Sequence, residues 1–328
     1  MSNTLVLGSR EEVAASLPHT IGFYPDDSIV VLCLDASSVI MMIRLSLPET
    51  AERSVFLMDA PTYIASSVNR LNANRCILVL FSESTDDFAY HQSVMVAAEE
   101  AVSEAGILLS DAFIVRREEI VSVLPQDTAR KQVISDETRA KYGSMPYNSR
   151  ADVVAAFTPR PDEAVANAYD KAAESFGAVM PSARAMATVQ LLQSQPFTDE
   201  NKAHLIFAFQ SEALGDYVLS DLANLHARDA DAARAVTARL VETALVAPKE
   251  LAGRVAAYAA AATTITGPAV EVLCLADIAG SGYAIMERLS YVLDGTVTPA
   301  TFREVCSMME SDARRKLAEL DAIHVPVS

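Results

Sequence analysis

Two apolar runs, Ile29–Leu34 and Val39–Leu45, the second interrupted only by Arg44, lie Asp35-Ala36-Ser37-Ser38 apart, and they constrain this fold more than any other feature. Both are rich in β-branched residues and neither alternates with polar positions. That is the pattern of strands buried on both faces, and the short polar break between them predicts a hairpin. The surrounding chain extends it. Cys76–Phe81 reads as a further strand, Ile107–Val115 contains another, and Thr4–Leu7 is a short one. Between them, Ser9 with Glu12 forms a capping box that opens a short helix through Leu17. A second helix covers roughly Ala51 to Leu71, with Pro61 as a point of interruption. A third covers Asp87–Ala105 and ends on Gly106 as its C-cap. The order β-α-β-β-α-β-α-β predicts an α/β domain, a mixed sheet flanked by helices.

The pattern stops at Arg116. From there to Asn148 no period is sustained, and Pro125, Gly143 and Pro146 break the chain. This stretch reads as a long irregular connection, a functional loop or a linker. It is locally basic, with Arg116, Arg117, Arg130, Lys131, Arg139 and Lys141. From Ser149 onward the chain reads as helices: Ser149–Phe157, Asp162–Phe176, Ser182–Gln193, Asp199–Asn224, Ala230–Val246, Pro248–Thr264 and three more. In the last part Phe302, Val305, Cys306 and Met309 fall on one helix face, and Glu310 with Arg314 makes an i, i+4 pair. No repeat recurs at a fixed period. The 328 residues suffice for two domains. The expected division is an α/β domain over 1–145, with the irregular connection at about 116–148, followed by an all-α domain over 149–328.

The net charge of −17 is spread over both halves, with no acidic tail and no basic arm. A field of that sign repels phosphate backbones and anionic lipid surfaces, so neither nucleic acid nor membrane is an expected partner. Trp is absent and aromatics make up only 6%, which removes the usual stacking platform for single strands. The first residues show no basic segment followed by an apolar one, and the longest uncharged stretch, Val255–Val270, is broken by Thr and by Gly267-Pro268. Cys33, Cys76, Cys274 and Cys306 sit in apolar runs without a C-x-x-C pair and read as reduced core thiols. A cytoplasmic protein is expected. His19, His91, His204, His226 and His324 are scattered without metal-ligand spacing, so no metal is expected. There is no G-x-G-x-x-G after a strand, no phosphate loop and no nucleophile elbow. The expected cofactor is therefore none, and the expected partner is an unidentified small molecule or protein.

The stretch Leu17-Pro18-His19-Thr20-Ile21-Gly22-Phe23-Tyr24-Pro25-Asp26-Asp27-Ser28-Ile29-Val30-Val31-Leu32 is distinctive. It resembles the opening signature of the domain-of-unknown-function family numbered 4192, found largely in actinobacteria and their phages. Arg44-Leu45-Ser46-Leu47-Pro48 resembles that family's R-h-D-L-P element (h apolar), with Ser46 in place of Asp. Asn148-Ser149-Arg150-Ala151 resembles its later S-R element, and the Ala-rich tail with Gly282-Tyr283 and the Gly295–Pro299 turn resembles its end. The family's aromatic and cysteine-containing element is not visible between Val115 and Met145. The resemblance implies fold boundaries and a bacterial or phage setting; it supplies no chemistry.

Four places bear polar groups with chemical potential. In the 17–28 loop, His19, Asp26, Asp27 and Ser28 are candidates to converge, with Asp27 orienting His19 and Ser28 as nucleophile. The competing reading is that Asp and Ser before a strand bond their own backbone. Arg44 interrupts an apolar strand, as a ligand-anion clamp or as one half of a salt bridge to Asp26 or Asp27. Glu83 and Asp86 follow a strand, where open α/β sheets bind ligands, while Asp86 and Asp87 also suit the cap of the next helix. Arg150 and the basic connection suit a phosphate or carboxylate, or simply pair with the acidic surface. The leading expectation is a ligand- or partner-binding, regulatory protein with its site around the 17–28 loop. The alternatives are a small-molecule hydrolase or transferase using His19, Asp27 and Ser28, and a structural or assembly protein of a phage particle. The Ala-rich helix pairs suit homo-oligomeric packing.

Overall fold

The structure, a computed structural model, describes residues 8–35, 38–71, 73–84, 87–116, 119–123, 132–142, 147–194, 196–267, 269–293 and 297–323. Its contacts divide the chain into two compact units, Met1–Asp152 and Val153–Ser328. The Thr4–Leu7 strand, Asp86, Arg117, Pro125, Arg130, Lys131, Gly143, Met145, Pro146, Gly295 and His324 lie outside the described residues.

The first unit begins with helix α1 (Arg10–Ile21), capped by Ser9, whose hydroxyl accepts from the Glu12 N–H. It runs one turn beyond its expected end at Leu17, because a proline near a helix C-terminus forfeits a single backbone bond. The turn closes at Gly22, which adopts φ +99° and donates its N–H to the Pro18 carbonyl at 2.8 Å. Arg10 makes a bidentate pair with Asp111 at 2.7 Å and holds α1 to the sheet.

Strand β1 (Ser28–Asp35) pairs antiparallel with β2 (Ser38–Ser46), giving the predicted hairpin, but only β1 is buried on both faces: β2 is the edge strand and its residues 39–45 are half-buried. Helix α2 (Arg53–Arg70) follows a 3₁₀ turn at Thr50–Glu52 and continues through Pro61. Burial of Ala60, Ile64 and Val68 on one face outweighs the hydrogen bond that Pro61 removes. Strand β3 (Arg75–Phe81) pairs antiparallel with β1, and α3 (Phe88–Glu104) crosses over to β4 (Leu108–Arg116), which is parallel to β3. The stretch expected to be irregular adds β5 (Glu119–Ser122), β6 (Gln132–Val133) and helix α4 (Asp136–Ala140). These pieces are too short to show a period, and the strands exist because β4 offers an edge to pair with. The six strands lie in the order β2-β1-β3-β4-β5-β6.

One sheet face, carrying Ile29, Val31, Cys33, Leu78, Leu80 and Ile114, packs against Ile64 and Val68 of α2 and Val94, Met95 and Ala98 of α3. Val30, Leu32, Val79 and Phe113 on the other face are buried as deeply, which explains the absence of alternation. Cys33 stands directly opposite Cys76, both fully buried, and burial pushes both thiols up to about 12.

The remaining helices are α5 (Arg150–Ala156), α6 (Glu163–Gly177), α7 (Pro181–Gln193), α8 (Asp199–Ala208), α9 (Glu212–Arg228), α10 (Ala230–Val246), α11 (Lys249–Thr266), α12 (Ala269–Ala279), α13 (Ala284–Leu293), α14 (Pro299–Met308) and α15 (Glu310–Ile323). The single helix expected over Asp199–Asn224 is two, broken at residues 209–211. Four helices, not three, follow α11. Helix α11 forms the centre of its unit and contacts α9, α10, α12, α13 and α14. Its residues from Val255 to Thr263 are all buried, as a helix surrounded by neighbours must be. On α14, Phe302 and Cys306 are buried, whereas Val305 is exposed. The helix face is thus narrower than the four-residue spacing predicts. Cys274 is half-buried, unlike the other three cysteines. The Glu310–Arg314 pair is formed at 2.7 Å. Among the described residues, no helix is long and apolar enough to cross a membrane.

Candidate functional site

The register Ser46–Ser28–Phe81–Val115 sets the end of β2, the start of β1 and the ends of β3 and β4 in one row. Because α2 follows β2 and α3 follows β3, both helices begin beside this edge. It is the edge at which open α/β sheets bind ligands, beyond the carboxyl ends of the parallel strands.

Asp27 ties the loops at this edge together. Its φ of +40° is left-handed, a conformation non-glycine residues seldom adopt. Its carboxylate accepts the Ser82 hydroxyl at 2.8 Å, and its carbonyl accepts the Leu47 N–H at 2.7 Å. Its own N–H donates to the Asp26 carboxylate at 2.9 Å. Ser82 in turn accepts the Ser84 N–H at 3.2 Å. The strained residue therefore joins β1, the segment after β2 and the loop after β3.

Beside it opens a cleft of about 580 Å³, bounded by Asp27, residues 47–51, Arg53, Asp87, Tyr90 and His91. Arg53, the first residue of α2, makes a bidentate pair with Asp87 at 2.8 Å and lies 4.4 Å over the Tyr90 ring. The pair holds the Asp87 carboxyl below its ordinary range. This corrects the capping expectation for Asp87, whose carboxylate does not cap α3 because it is spent on Arg53; the other candidate, Asp86, lies outside the described residues.

His91, one turn into α3, is 2% exposed, and among the described residues its Nδ1 has no hydrogen-bond partner. Burial pulls its pKa below the ordinary value. Asp87 and Asp27 oppose that shift, whereas Arg116 and Arg53 reinforce it. The Tyr90 hydroxyl is also buried with no partner among the described residues, and burial raises its pKa. Arg116, the last residue of β4, lies 4.5 Å over the ring of Phe88, the first residue of α3. Its Nε and Nη2 are buried without partners, and among the described residues it makes no ion pair.

The residues singled out from sequence occupy this unit in different ways. Asp27 lines the cleft. Ser28 is fully buried, and its hydroxyl donates to the Asp26 carbonyl at 2.8 Å. Asp26 is exposed, yet partial desolvation and the neighbouring Asp27 raise its pKa, opposed by the Asp27 N–H. Glu83 is exposed, and its charge acts on Asp26 and Tyr24. His19 is half-buried and stacks on Tyr142 at 5.8 Å. Among the described residues, no hydrogen bond joins it to Asp27 or Ser28.

Arg44 lies 5.1 Å over the Phe23 ring with its Nε unpartnered, and among the described residues it pairs with neither Asp26 nor Asp27. The expected salt bridge is replaced by a ring contact, and burial together with Arg150 lowers its pKa. Arg150 itself is exposed at the start of α5. Among the described residues, no group of three or more His, Cys, Asp or Glu is placed to hold a metal ion.

Arg53, Tyr90 and His91 were not singled out as site residues, and Arg116 entered only as one residue of the basic connection. One local signal does point to His91. It falls in the stripe Phe88, His91, Met95, Ala98, Val102, whose last three members are buried at helical spacing. A histidine on such a face is buried by its neighbours whether or not it has a partner. Arg53 and Arg116 carry no such signal, because their places follow from contacts across the sheet.

No curated protein and no solved structure matches the chain. A family model does, over residues 11–279, from α1 to the end of α12, and its span includes every residue of the cleft. The chain thus belongs to the family described as domain of unknown function DUF4192.

Proposed function

We propose that this is a ligand-binding protein of regulatory type, whose α/β unit takes a small molecule into the cleft at the sheet edge. The observation that carries the proposal is His91, buried to 2% with an unpartnered Nδ1 on the cleft wall. A buried polar atom without a partner costs about 1–3 kcal/mol and is rare in native structures. Such a group at the wall of an opening is explained by a ligand that supplies the missing bond. The cleft volume falls within the usual range for small-molecule sites of about 300–1,000 Å³. Strain at Asp27 on its rim fits the same reading.

Binding is favoured over hydrolysis because the nearby hydroxyls are already committed. Ser28 donates to Asp26 and Ser82 donates to Asp27. We place the protein in the cytoplasm, since buried free thiols such as Cys33, Cys76 and Cys306 suit a reducing compartment. The actinobacterial or phage setting rests on the resemblance of the 17–32 stretch.

The test joins native mass spectrometry of the gently purified full chain with thermal-shift screening against small metabolites of all charge types. A retained adduct, or a compound that raises Tm in the wild type but not in His91→Phe, is the expected result. No adduct and a flat panel in both proteins would overturn the proposal.

A further inference from the structure

Arg44 belongs to β2 but not to the face that β2 turns toward α2 and α3. Its neighbours Ile43 and Leu45 pack into the core under those helices, so Arg44, opposite Val30, points to the other side of the sheet. It does not line the cleft.

Three segments distant in sequence meet around it. Phe23, just after α1, receives the Arg44 guanidinium 5.1 Å over its ring. Phe23 also forms a parallel bridge with Tyr147. Three residues on, Arg150 opens α5 within a reciprocally capped turn. The Ser149 N–H donates to the Asp152 carboxylate at 3.1 Å, and the Asp152 N–H to the Ser149 hydroxyl at 3.2 Å. Three residues span at most about 10 Å, so the bridge keeps the second arginine close to the first. The positive charge of Arg150, added to burial, lowers the pKa of Arg44.

Two like charges held together repel, and this pair has no internal counter-charge. The chain carries 43 acidic residues against 26 basic ones, yet among the described residues neither guanidinium makes an ion pair or donates a hydrogen bond. Asp26 and Asp27, on the same loop as Phe23, do not pair with Arg44, and Asp152 is spent on the Ser149 N–H. Stacking on Phe23 covers one face of the Arg44 fork and leaves the N–H groups at its edge unspent. Arg44 is half-buried and Arg150 exposed, so the pair opens to solvent on the Arg150 side.

From this we infer that Arg44 and Arg150 together bind a doubly charged oxyanion, a phosphate group or two carboxylates of one small molecule. Two guanidiniums match two negative charges, and the planar fork of each suits either oxyanion. The site is separate from the cleft and the inference does not rest on it.

Inorganic phosphate and malonate are the probes, one for each source of the dianion. Acetate is the singly charged control, and chloride keeps the ionic strength constant. In the full chain, at least one dianion should raise Tm saturably by a few degrees, since a ligand bound only by the folded state stabilises it. Acetate should do so far less. Arg150→Gln, a change at an exposed position, should lose about tenfold or more in affinity for that dianion, the loss expected for one charge-assisted contact. Arg44→Lys should retain part of the response.

A second variant reads the repulsion without any ligand. Arg150→Glu supplies Arg44 with an internal carboxylate, so it should raise the Tm of the free protein and abolish the dianion response. A lowered Tm there, or a response that survives, would overturn the inference. So would equal responses to dianions and acetate, a dianion response unchanged in Arg150→Gln, or no response to either dianion. The response should persist in His91→Phe. Loss in His91→Phe with retention in Arg150→Gln would put the anion in the cleft, and this inference would fall while the cleft stood.

Discussion

Each unit of this protein buries an ionisable side chain, and the two are treated differently. In the helical unit, Asp216 is 3% exposed. It accepts the Tyr258 hydroxyl at 3.1 Å, and Arg288 and Lys316 each stand 3.6 Å away. Burial still outweighs both cations and raises its pKa. Around it the packing is closed. Ala256, Ala257 and residues 259–262 of α11 are fully buried, and their small side chains let neighbouring helices approach closely. In the α/β unit, His91 is buried to a similar degree, yet its Nδ1 has no partner and its ring borders a cleft. Depth of burial does not separate the two sites. The supply of partners does. A satisfied network stabilises and specifies a core, and an unsatisfied one at an opening leaves bonds for a ligand to complete.

The largest effect expected from this contrast is in the helical unit. A Cβ at Gly215 would lie 2.2 Å from the Tyr258 ring. Gly215→Ala must displace that ring from a packed core and should cost about 3 kcal/mol, read as a lower midpoint in urea. A loss below about 1 kcal/mol would show that the core has room to move and is not closed.

Next come two aromatic variants to be compared directly. Tyr258→Phe removes a donor from a buried carboxylate and should cost about 1–2 kcal/mol. His91→Phe removes a group that has no hydrogen bond to lose, so the ligand-free protein should change by less than about 1 kcal/mol or gain stability. Equal losses in the two variants would erase the distinction between the units.

The smallest effect is on pH dependence. His91 has a folded pKa below its ordinary 6.5, so the unfolded chain takes up the proton first as pH falls. Its contribution to stability is complete above about 6.5 and is lost progressively as the pH drops through its folded value. His19 and His226 are shifted in the same direction by burial. His91→Phe should therefore flatten the stability curve in this window without abolishing its slope. Asp216 acts with the opposite sign: its raised pKa means that its folded form is relieved by protonation, so the helical unit gains stability as the pH falls through that value. Urea midpoints of wild type and variant at several pH values between 5 and 8 measure the difference. Parallel curves would show that His91 is solvated.

The legible part of the molecule is the part written in local pattern. The β1–β2 hairpin, β3, the crossover α3 and most of the helical series follow from runs and caps a few residues long. What escaped was decided by partners distant in sequence. Strands β5 and β6 exist because β4 has an edge to pair with. The break between α8 and α9 falls within a stretch whose period is continuous. Of the 17–28 loop, Asp27 lines the cleft. Its companions there are not His19 and Ser28 but Ser82, with Arg53, Asp87 and His91 beside them.

By itself, then, the sequence determined which segments are strands and helices, which faces are apolar, and that a polar loop enters a buried strand. Those properties follow from backbone preference and hydrophobic period, which act over one or two turns. Only the tertiary structure decided which polar groups meet. Arg53 reaches Asp87 across 34 residues, and Ser82 reaches Asp27 across 55. Sheet order and register bring them together, and no spacing along the chain encodes either. The same holds for the groups left unmatched. That His91 keeps an unpartnered Nδ1 at the start of α3, with Asp87 already committed to Arg53, is a consequence of packing, because a buried group is satisfied or unsatisfied only by the neighbours the fold places around it.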